Sequence, residues 1–272
     1  MFFVRLLRNE LDYPLRQLFR WRRRGLRLTN EPKDDIFAEL KAEQRTQAEF
    51  AAARLLQEYR LDYLLHHSTR RNYRENLYYL ELMEKALERA GVVLPDSICV
   101  ADIGVSHWFY VQAYCAFLRW WRASPSGRSI QVLGYEVDPY RVYFDFFSRY
   151  DYAMAHLQGL EDASYIPCPF DRQAERFDLI SLFFPFVFKD DHLKWGLPNR
   201  LFQPDNLLGD VWDSLKPGGV LLVVNQGEAE HREQRRLFEQ RGIRSAAGFQ
   251  FESLVFEYKI PRYVLVAVKE NG

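Results

Sequence analysis

Two acidic side chains stand near the ends of short apolar runs, where a carboxylate can receive hydrogen bonds from a ligand. Asp102 and Gly104 close the run 97–105, and Glu136 closes the run 130–137. A carboxylate in the position of Glu136 could accept two hydrogen bonds from the vicinal hydroxyls of a ribose. In open parallel sheets, ligands bind beyond the carboxyl ends of the strands. We therefore expect these residues to share one ligand-binding edge.

Two later segments belong to the same pattern. The sequence Cys-Pro-Phe-Asp at 168–171 places a further carboxylate, Asp171, shortly before the apolar run 177–186. The sequence Leu-Lys-Pro-Gly-Gly at 215–219 forms a turn signal directly before the apolar run 219–225. Both segments are in the order and at the separations expected of successive strands of one sheet.

Other catalytic and metal-binding patterns are missing from the sequence. It contains no nucleophile elbow, no Gly-Lys-Ser/Thr phosphate loop and no spaced set of metal ligands. The three cysteines, Cys99, Cys115 and Cys168, are odd in number and widely spaced, so they predict neither a disulfide framework nor a zinc site. We expect no metal, and the cysteine usage fits a reducing compartment.

The elements that must position these residues alternate between strand and helix after Gly91. Apolar runs at 97–105, 130–137, 177–186 and 219–225 are followed by helical patterns from Trp108, from Tyr140, near 205–215 and near 230–241. This alternation predicts a parallel sheet covered by helices on both faces. The runs 249–258 and 263–269 are joined by four residues, which permits only an antiparallel hairpin. The predicted fold class is therefore α/β, with a seven-stranded, mostly parallel sheet and a C-terminal antiparallel hairpin.

A helical extension precedes this α/β unit. Residues 34–90 lack proline and glycine and are rich in helix formers. Tyr73, Leu77, Leu80, Met83 and Leu87 recur at spacings of three and four, which predicts one buried stripe of a helix. We expect a helical cap at 34–92, packed beside the carboxyl edge of the sheet, and a sheet domain at 93–272.

The first 33 residues form a basic amphipathic arm. Residues 1–28 carry eight arginines against Glu10 and Asp12, whereas the whole chain has 37 basic and 37 acidic side chains. Pro14 is expected to break the helical pattern. We expect the apolar face of the arm to pack on the main domain and its arginines to be solvated. The alternative is contact with anionic membrane or RNA, for which we expect at most weak, salt-sensitive attraction.

Taken together, residues 97–269 resemble the class I S-adenosylmethionine-dependent methyltransferase superfamily, with a degenerate glycine loop. The first loop of that family reads acidic-x-Gly-x-Gly-x-Gly; here Asp102 and Gly104 match, Ser106 replaces the second glycine and Trp108 the third. A serine is a modest change if its φ angle is negative. The tryptophan could lie in the first helical turn with its ring in the core, or it could fill the methionine pocket.

The resemblance implies S-adenosylmethionine as cofactor and assigns site residues one by one. Glu136 would bind the ribose, Val137 would lie against the adenine, and Asp171 would receive the adenine amino group, with a helix or turn cap as the alternative role of Asp171. Asp102, Gly104 and Ser106 would surround the methionine part. No catalytic residue is assigned.

The segment Phe183-Phe184-Pro185-Phe186 bears on the methyl acceptor. Amino-group methyltransferases commonly carry Asn/Asp-Pro-Pro-aromatic at this place, and the polar residue is missing here, so methylation of adenine or cytosine amino groups is disfavoured. We expect these rings to be part of the hydrophobic core; the alternative is that they form one side of an apolar substrate pocket. Asp190, Asp191 and His192 follow, and we expect a solvated loop there, although a His or Asp could serve as a general base.

Three functions stay open. The first is a methyltransferase acting on an unidentified acceptor, small-molecule or lipid-like. The second is a non-catalytic protein of the same fold that serves as a binding or scaffold subunit. The third is an enzyme tethered by its arm to an anionic surface. The longest strongly apolar stretch, 179–188, has about ten residues, so we expect no integral membrane segment and a cytoplasmic protein.

Overall fold

The computed structural model describes residues 2–270, with side chains from residue 5 onwards. Seven strands are present: β1 Ser97–Ile103, β2 Ser129–Tyr135, β3 Ala163–Ile166, β4 Phe177–Phe183, β5 Leu215–Gln226, β6 Ser245–Phe251 and β7 Arg262–Val268. The helices are α1 Phe2–Phe19, α2 Ala42–Tyr59, α3 Asp62–His66, α4 Arg70–Arg89, α5 Val111–Trp120, α6 Arg149–His156, α7 Lys189–Lys194, α8 Pro204–Ser214 and α9 Gly227–Gln240. A single 3₁₀ turn, Asn199–Leu201, lies between α7 and α8.

The seven strands form one sheet in the order β3-β2-β1-β4-β5-β7-β6. The first five strands are parallel, and β7 runs antiparallel to both β5 and β6. Helices cover both faces, so central strands such as β4 are apolar on both sides. The predicted fold class is confirmed, including the antiparallel C-terminal hairpin.

Several predicted boundaries within this sheet are wrong. Strand β6 covers 245–251 and not 249–258, and the ten residues 252–261 connect it to β7. The carbonyl of Val255 in this connection accepts a hydrogen bond from Arg74 Nε at 2.8 Å, so the connection is held against α4 instead of pairing with β7. The short strand β3 was not located by the sequence pattern.

Two helices begin later than the sequence indicates. Helix α5 begins at Val111 and not at Trp108, and α6 begins at Arg149 and not at Tyr140. The start of α6 is fixed by a capping box, in which Ser148 and Asp151 exchange side-chain-to-backbone hydrogen bonds. Residues 141–147 consequently form a loop that projects from the domain.

The helical extension shares one hydrophobic core with a face of the sheet. Its predicted stripe is buried, with Leu77, Leu80 and Leu87 fully inaccessible to solvent. Helices α2 and α4 pack on α5, and α4 also contacts β6 and β7. The position beside the carboxyl edge is therefore wrong: these helices cover one face of the sheet.

The N-terminal arm is ordered differently from the prediction. Helix α1 continues through Pro14, whose exposed side chain lies on the outer side of the helix. The polar face of α1 docks on the domain, and the apolar face, which includes Leu11 and Leu18, points outward. The expected burial of the apolar face is thus wrong. Within 2–270, no helix is both long and apolar enough to cross a bilayer.

Replacing Leu77 by Ala should lower the free energy of unfolding by about 2–5 kcal/mol, because the cavity would open inside the core shared by α4 and the sheet. Phe50, which is exposed on α2, is the matched control, and Phe50→Ala should change the free energy by less than about 0.5 kcal/mol. Urea denaturation followed by circular dichroism measures both. Two separate transitions in the wild type would contradict a shared core.

Candidate functional site

A cavity of about 460 Å³ opens at the carboxyl ends of β1, β2 and β4. Five of the six residues predicted to bind the cofactor line it: Gly104, Ser106, Glu136, Val137 and Asp171. The volume is in the range of pockets that hold small molecules and cofactors. The structure therefore brings together residues that are up to 67 positions apart in the sequence, from Gly104 to Asp171.

Glu136 is buried in the wall of this cavity and connects two loops. Its Oε2 accepts a hydrogen bond from the backbone amide of Ser106 at 2.7 Å, and its Oε1 accepts one from the amide of Asp138 at 2.8 Å. Burial raises the pKa of Glu136, and the nearby Arg149 and the two amides oppose that rise. The carboxylate thus holds the loop after β1 against the turn after β2.

Two carboxylates and two guanidinium groups make up a charge network behind this wall. Arg149 lies 3.4 Å from Glu136 Oε1 and 3.8 Å from Asp138 Oδ2, and all three residues are buried. Arg16 of helix α1 binds both oxygens of Asp138, at 2.9 and 3.0 Å. The network carries two negative and two positive charges, so each buried carboxylate has a counter-ion. Sequence reasoning missed Asp138, Arg149 and Arg16.

Three residues of the loop after β1 have positive φ angles, and only one of them is a glycine. Gly104, Ser106 and Trp108 have φ angles of 80°, 53° and 50°. The condition of a negative φ at Ser106 is therefore not met, and two L-residues occupy the left-handed region that favours glycine. A Cβ added to Gly104 would meet no atom within 4 Å, so the cavity side of the loop is open.

Trp108 does not fill the cavity. Its indole is fully buried over Gly134 of β2, where a Cβ would stand 2.6 Å from the ring. The indole N–H donates to Asp102 Oδ2 at 2.9 Å. A glycine inside a strand often marks such a close approach, and Gly134 was the available signal in the sequence.

Asp102 is the predicted site residue that the structure does not bring to the cavity. Its carboxylate is fully buried and accepts hydrogen bonds from Trp108 Nε1, from the Tyr110 hydroxyl at 2.8 Å and from Ser181 Oγ at 2.7 Å. Burial raises the pKa of Asp102 to about 6, against the opposing effect of these three donors. Asp102 thus stabilises the loop after β1 through its hydrogen bonds to Trp108 and Tyr110.

The second half of the cavity is mainly apolar, although Arg200, Gln203, Asn206 and Asp210 also line it. Phe184, Pro185 and Phe186 are half-buried and line it, so the expectation of ordinary core is wrong for these residues, although Phe183 is buried. The remaining apolar lining comes largely from the segment between β4 and α8 and includes Trp195, Leu197, Leu201, Phe202 and Leu207. The alternative of an apolar pocket wall fits this arrangement.

The segment after this wall is a helix, and the prediction of a solvated loop is wrong. Asp190 and Asp191 are on the outside of α7, where both pair with Lys194. His192 is buried and lines the cavity, with Nε2 2.9 Å from the carbonyl of Pro198. A carbonyl only accepts, so Nε2 carries the proton in the neutral ring, and burial lowers the pKa of His192.

The last predicted cofactor residue, Asp171, and the loop residue His107 lie at the edge of the site or outside it. Asp171 is exposed at the rim of the cavity, in a loop and not at the start of a helix. His107 lies outside the cavity in a cluster of rings, stacked on Phe109 and 3.2 Å from the Tyr143 hydroxyl. Among the residues from 2 to 270, no group of three or more His, Cys, Asp or Glu side chains is placed to hold a metal ion.

No protein-family model matches the chain, and the comparison with curated proteins finds no match. Solved structures of similar fold include an S-adenosylmethionine-dependent methyltransferase from Aquifex aeolicus, 17% identical, which covers 72% of this chain and 92% of its own with a TM-score of 0.49. The [4+2]-cyclase SpnF is 15% identical; the match covers 71% of this chain and 81% of the cyclase, with a TM-score of 0.47. The phosphoethanolamine N-methyltransferase 2 of Haemonchus contortus, solved in complex with S-adenosylhomocysteine, is 13% identical. The match covers 70% of this chain and 53% of that enzyme, with a TM-score of 0.45. These likenesses are partial, and they concern the fold alone.

Replacing Ser106 by Gly should give a more stable protein than replacing it by Ala. Glycine adopts a φ of 53° without the penalty that any Cβ incurs, and both variants lose the same hydroxyl. We expect a difference of about 1 kcal/mol in the free energy of unfolding, measured in urea. An alanine variant at least as stable as the glycine variant would show that the loop backbone is not strained.

The stability of the wild type and of Asp102→Asn should respond differently to pH. Because the pKa of Asp102 is raised to about 6 in the folded state, the folded protein binds a proton more readily than the unfolded chain at pH 4–6. The contribution of Asp102 to the free energy of unfolding is therefore fully present at low pH, and it falls by roughly 3 kcal/mol as the pH rises to and through 6. Asparagine does not titrate, so the stability difference should shrink by that amount between pH 4 and pH 7. Parallel pH profiles would contradict this.

Proposed function

We propose that this protein is an S-adenosylmethionine-dependent methyltransferase that binds its cofactor in the cavity at the ends of β1 and β2. The observation that carries the proposal is Glu136, a buried carboxylate that lines the cavity beside the open loop at Gly104 and Ser106. Glu136 would hold the ribose hydroxyls, Val137 would lie against the adenine, and Asp171 at the rim would receive the adenine amino group.

The internal hydrogen bonds of Glu136 leave room for a ribose. A carboxylate has about four lone-pair sites. Oε2 accepts from the Ser106 amide alone, and Oε1 accepts from the Asp138 amide and, at 3.4 Å, from Arg149. At least one site on Oε2 is therefore available to a ribose hydroxyl, and the two roles of Glu136 are compatible.

The apolar half of the cavity indicates the acceptor class. S-adenosylmethionine, when bound, supplies an electrophilic methyl group on a sulfonium; the chain has to orient the acceptor and exclude water. Phe184, Phe186 and Phe202 provide an apolar surface for that purpose, and the polar residue typical of amino-group methyltransferases is missing from this segment. We propose a small, apolar or lipid-like acceptor.

His192 is the residue of the apolar half that could move a proton. With Nε2 donating to Pro198, the lone pair is on Nδ1, and the lowered pKa keeps the ring neutral at physiological pH. A neutral imidazole in the cavity wall could accept the proton of an acceptor hydroxyl.

The second candidate is a non-catalytic binding or scaffold protein. The observation that favours it is the same carboxylate, because Glu136 has a structural role in joining two loops that would preserve it without any cofactor. Occlusion by Trp108, by contrast, no longer supports this candidate, since the indole lies over Gly134 and outside the cavity.

Calorimetric titration with S-adenosylmethionine and S-adenosylhomocysteine distinguishes the two candidates. The methyltransferase should bind both, and Glu136→Gln should weaken binding roughly tenfold or more, since a charge-assisted hydrogen bond contributes about 1.5–3 kcal/mol. Glu161→Gln, a change at an exposed position, is the matched control and should bind as the wild type does.

Thermal unfolding of each variant separates binding from structure. A Glu136→Gln protein that stays folded at the titration temperature and binds weakly supports the ribose role. A folded wild type with no detectable affinity at millimolar cofactor would overturn the proposal in favour of the scaffold.

A further inference from the structure

Helix α1 presents an apolar stripe to solvent. Leu7, Leu11, Leu15 and Leu18 are spaced by three and four residues, so they share one side of the helix, and they are 49–74% exposed. Three polar residues fix the opposite side of the helix to the domain. The Asn9 side chain donates to the carbonyls of Leu193 and Leu197. The Tyr13 hydroxyl donates to the carbonyl of Val137, and Arg16 binds the carboxylate of Asp138. The stripe therefore faces outward while α1 is docked.

A second element extends this surface. In the loop 141–147, Phe144 is fully exposed and Phe146 is 65% exposed. The φ of Phe146 is 64°, an unusual conformation for a bulky residue. Trp21, just beyond α1, donates its indole N–H to the carbonyl of Phe146 at 2.9 Å and is itself half exposed. The end of the stripe and the loop are thus neighbours.

Arginines concentrate next to these apolar side chains. Residues 20–28 contain five arginines and no acidic residue. Arg23 stacks on the ring of Phe147, which places the cluster beside the loop, and Arg20, Arg24 and Arg27 form no salt bridge within residues 2–270. Leucine and aromatic side chains next to exposed arginines are the composition of a surface that lies in the interface of an anionic bilayer.

We propose that the stripe of α1, Trp21 and the loop 141–147 form a docking surface for an anionic lipid bilayer. The surface stands beside the cavity, because α1 contacts α7 and the 3₁₀ turn, whose residues line it. Docking of this surface goes beyond the proposed activity and does not depend on it.

Charge and side-chain type favour lipid over the other occupants. Single-stranded RNA is bound by stacking on aromatic rings; Trp21, Phe144 and Phe146 offer such rings, but the four exposed leucines of the stripe do not, and they need an apolar partner. In a symmetric dimer formed through α1, the acids facing the arginines would come from α1 itself, and its two acids, Glu10 and Asp12, already pair with Arg200 and Arg8. An anionic bilayer supplies negative charge in its headgroups and an apolar environment in its acyl chains.

Vesicle co-sedimentation of the full chain tests the proposal. The probes are vesicles of phosphatidylcholine alone and vesicles that also contain phosphatidylglycerol, each at low and at high salt. We expect binding to the anionic vesicles, weaker but still present at high salt, because the apolar contribution is not screened. The variant Leu11→Glu/Leu15→Glu should lower the partition coefficient roughly tenfold or more. Arg24→Gln/Arg27→Gln should lower it mainly at low salt.

Phe50→Glu is the matched control, because Phe50 is 75% exposed on α2, an element outside the proposed surface. It should bind vesicles as the wild type does, and circular dichroism should show that every variant is folded. Equal binding of wild type and Leu11→Glu/Leu15→Glu would overturn the proposal. So would a wild type that ignores anionic vesicles and instead binds RNA, or that sediments as a dimer which the leucine variant converts to monomer.

Discussion

The constraint on which the site depends is the burial of two carboxylates at the end of β2. Glu136 and Asp138 are removed from water, and an isolated charge there would be strongly destabilising. Arg149 and Arg16 supply the counter-charges, and the amides of Ser106 and Asp138 supply hydrogen bonds. Arg16 lies 122 residues from Asp138 along the chain, and Ser106 lies 30 residues from Glu136. The groups that neutralise or bind Glu136 and Asp138 therefore fix three segments: the loop after β1, the start of α6 and helix α1.

The direction of α1 follows from that requirement. A helix normally turns its apolar side to the protein, but here Arg16 has to reach Asp138, and Asn9 and Tyr13 satisfy backbone carbonyls of the segments that surround the cavity. The polar side is therefore the one that fits the domain, and the leucines are left outside. A substitution that removed Asp138 would remove the main reason for this orientation.

The sequence predicted what depends on local pattern and missed what depends on contact between distant residues. The central strands were recognisable because both their faces are buried, whereas β6 lies at the sheet edge and its exposed residues, such as Ser245, give no strand signal. An amphipathic pattern predicts a buried apolar face, but it contains no information on Asp138 as the partner of α1. Likewise, the sequence places Asp102 and Glu136 near strand ends, but only the packing of Trp108 decides which carboxylate reaches the cavity.

The loop after β1 carries Ser106 and Trp108 where the resembled family has glycines, and the packing around Trp108 accommodates the larger ring. The bulky ring is accommodated by Gly134 on the neighbouring strand, and its N–H is satisfied by Asp102. The loop thus has positive φ angles at Gly104, Ser106 and Trp108, and the glycine that makes room for the aromatic ring lies on the neighbouring strand. The cost is backbone strain of about 1–2 kcal/mol at each L-residue with positive φ, which the buried ring offsets through its own burial. Degeneracy of the motif in the sequence is therefore compatible with an open cavity at the ends of β1 and β2.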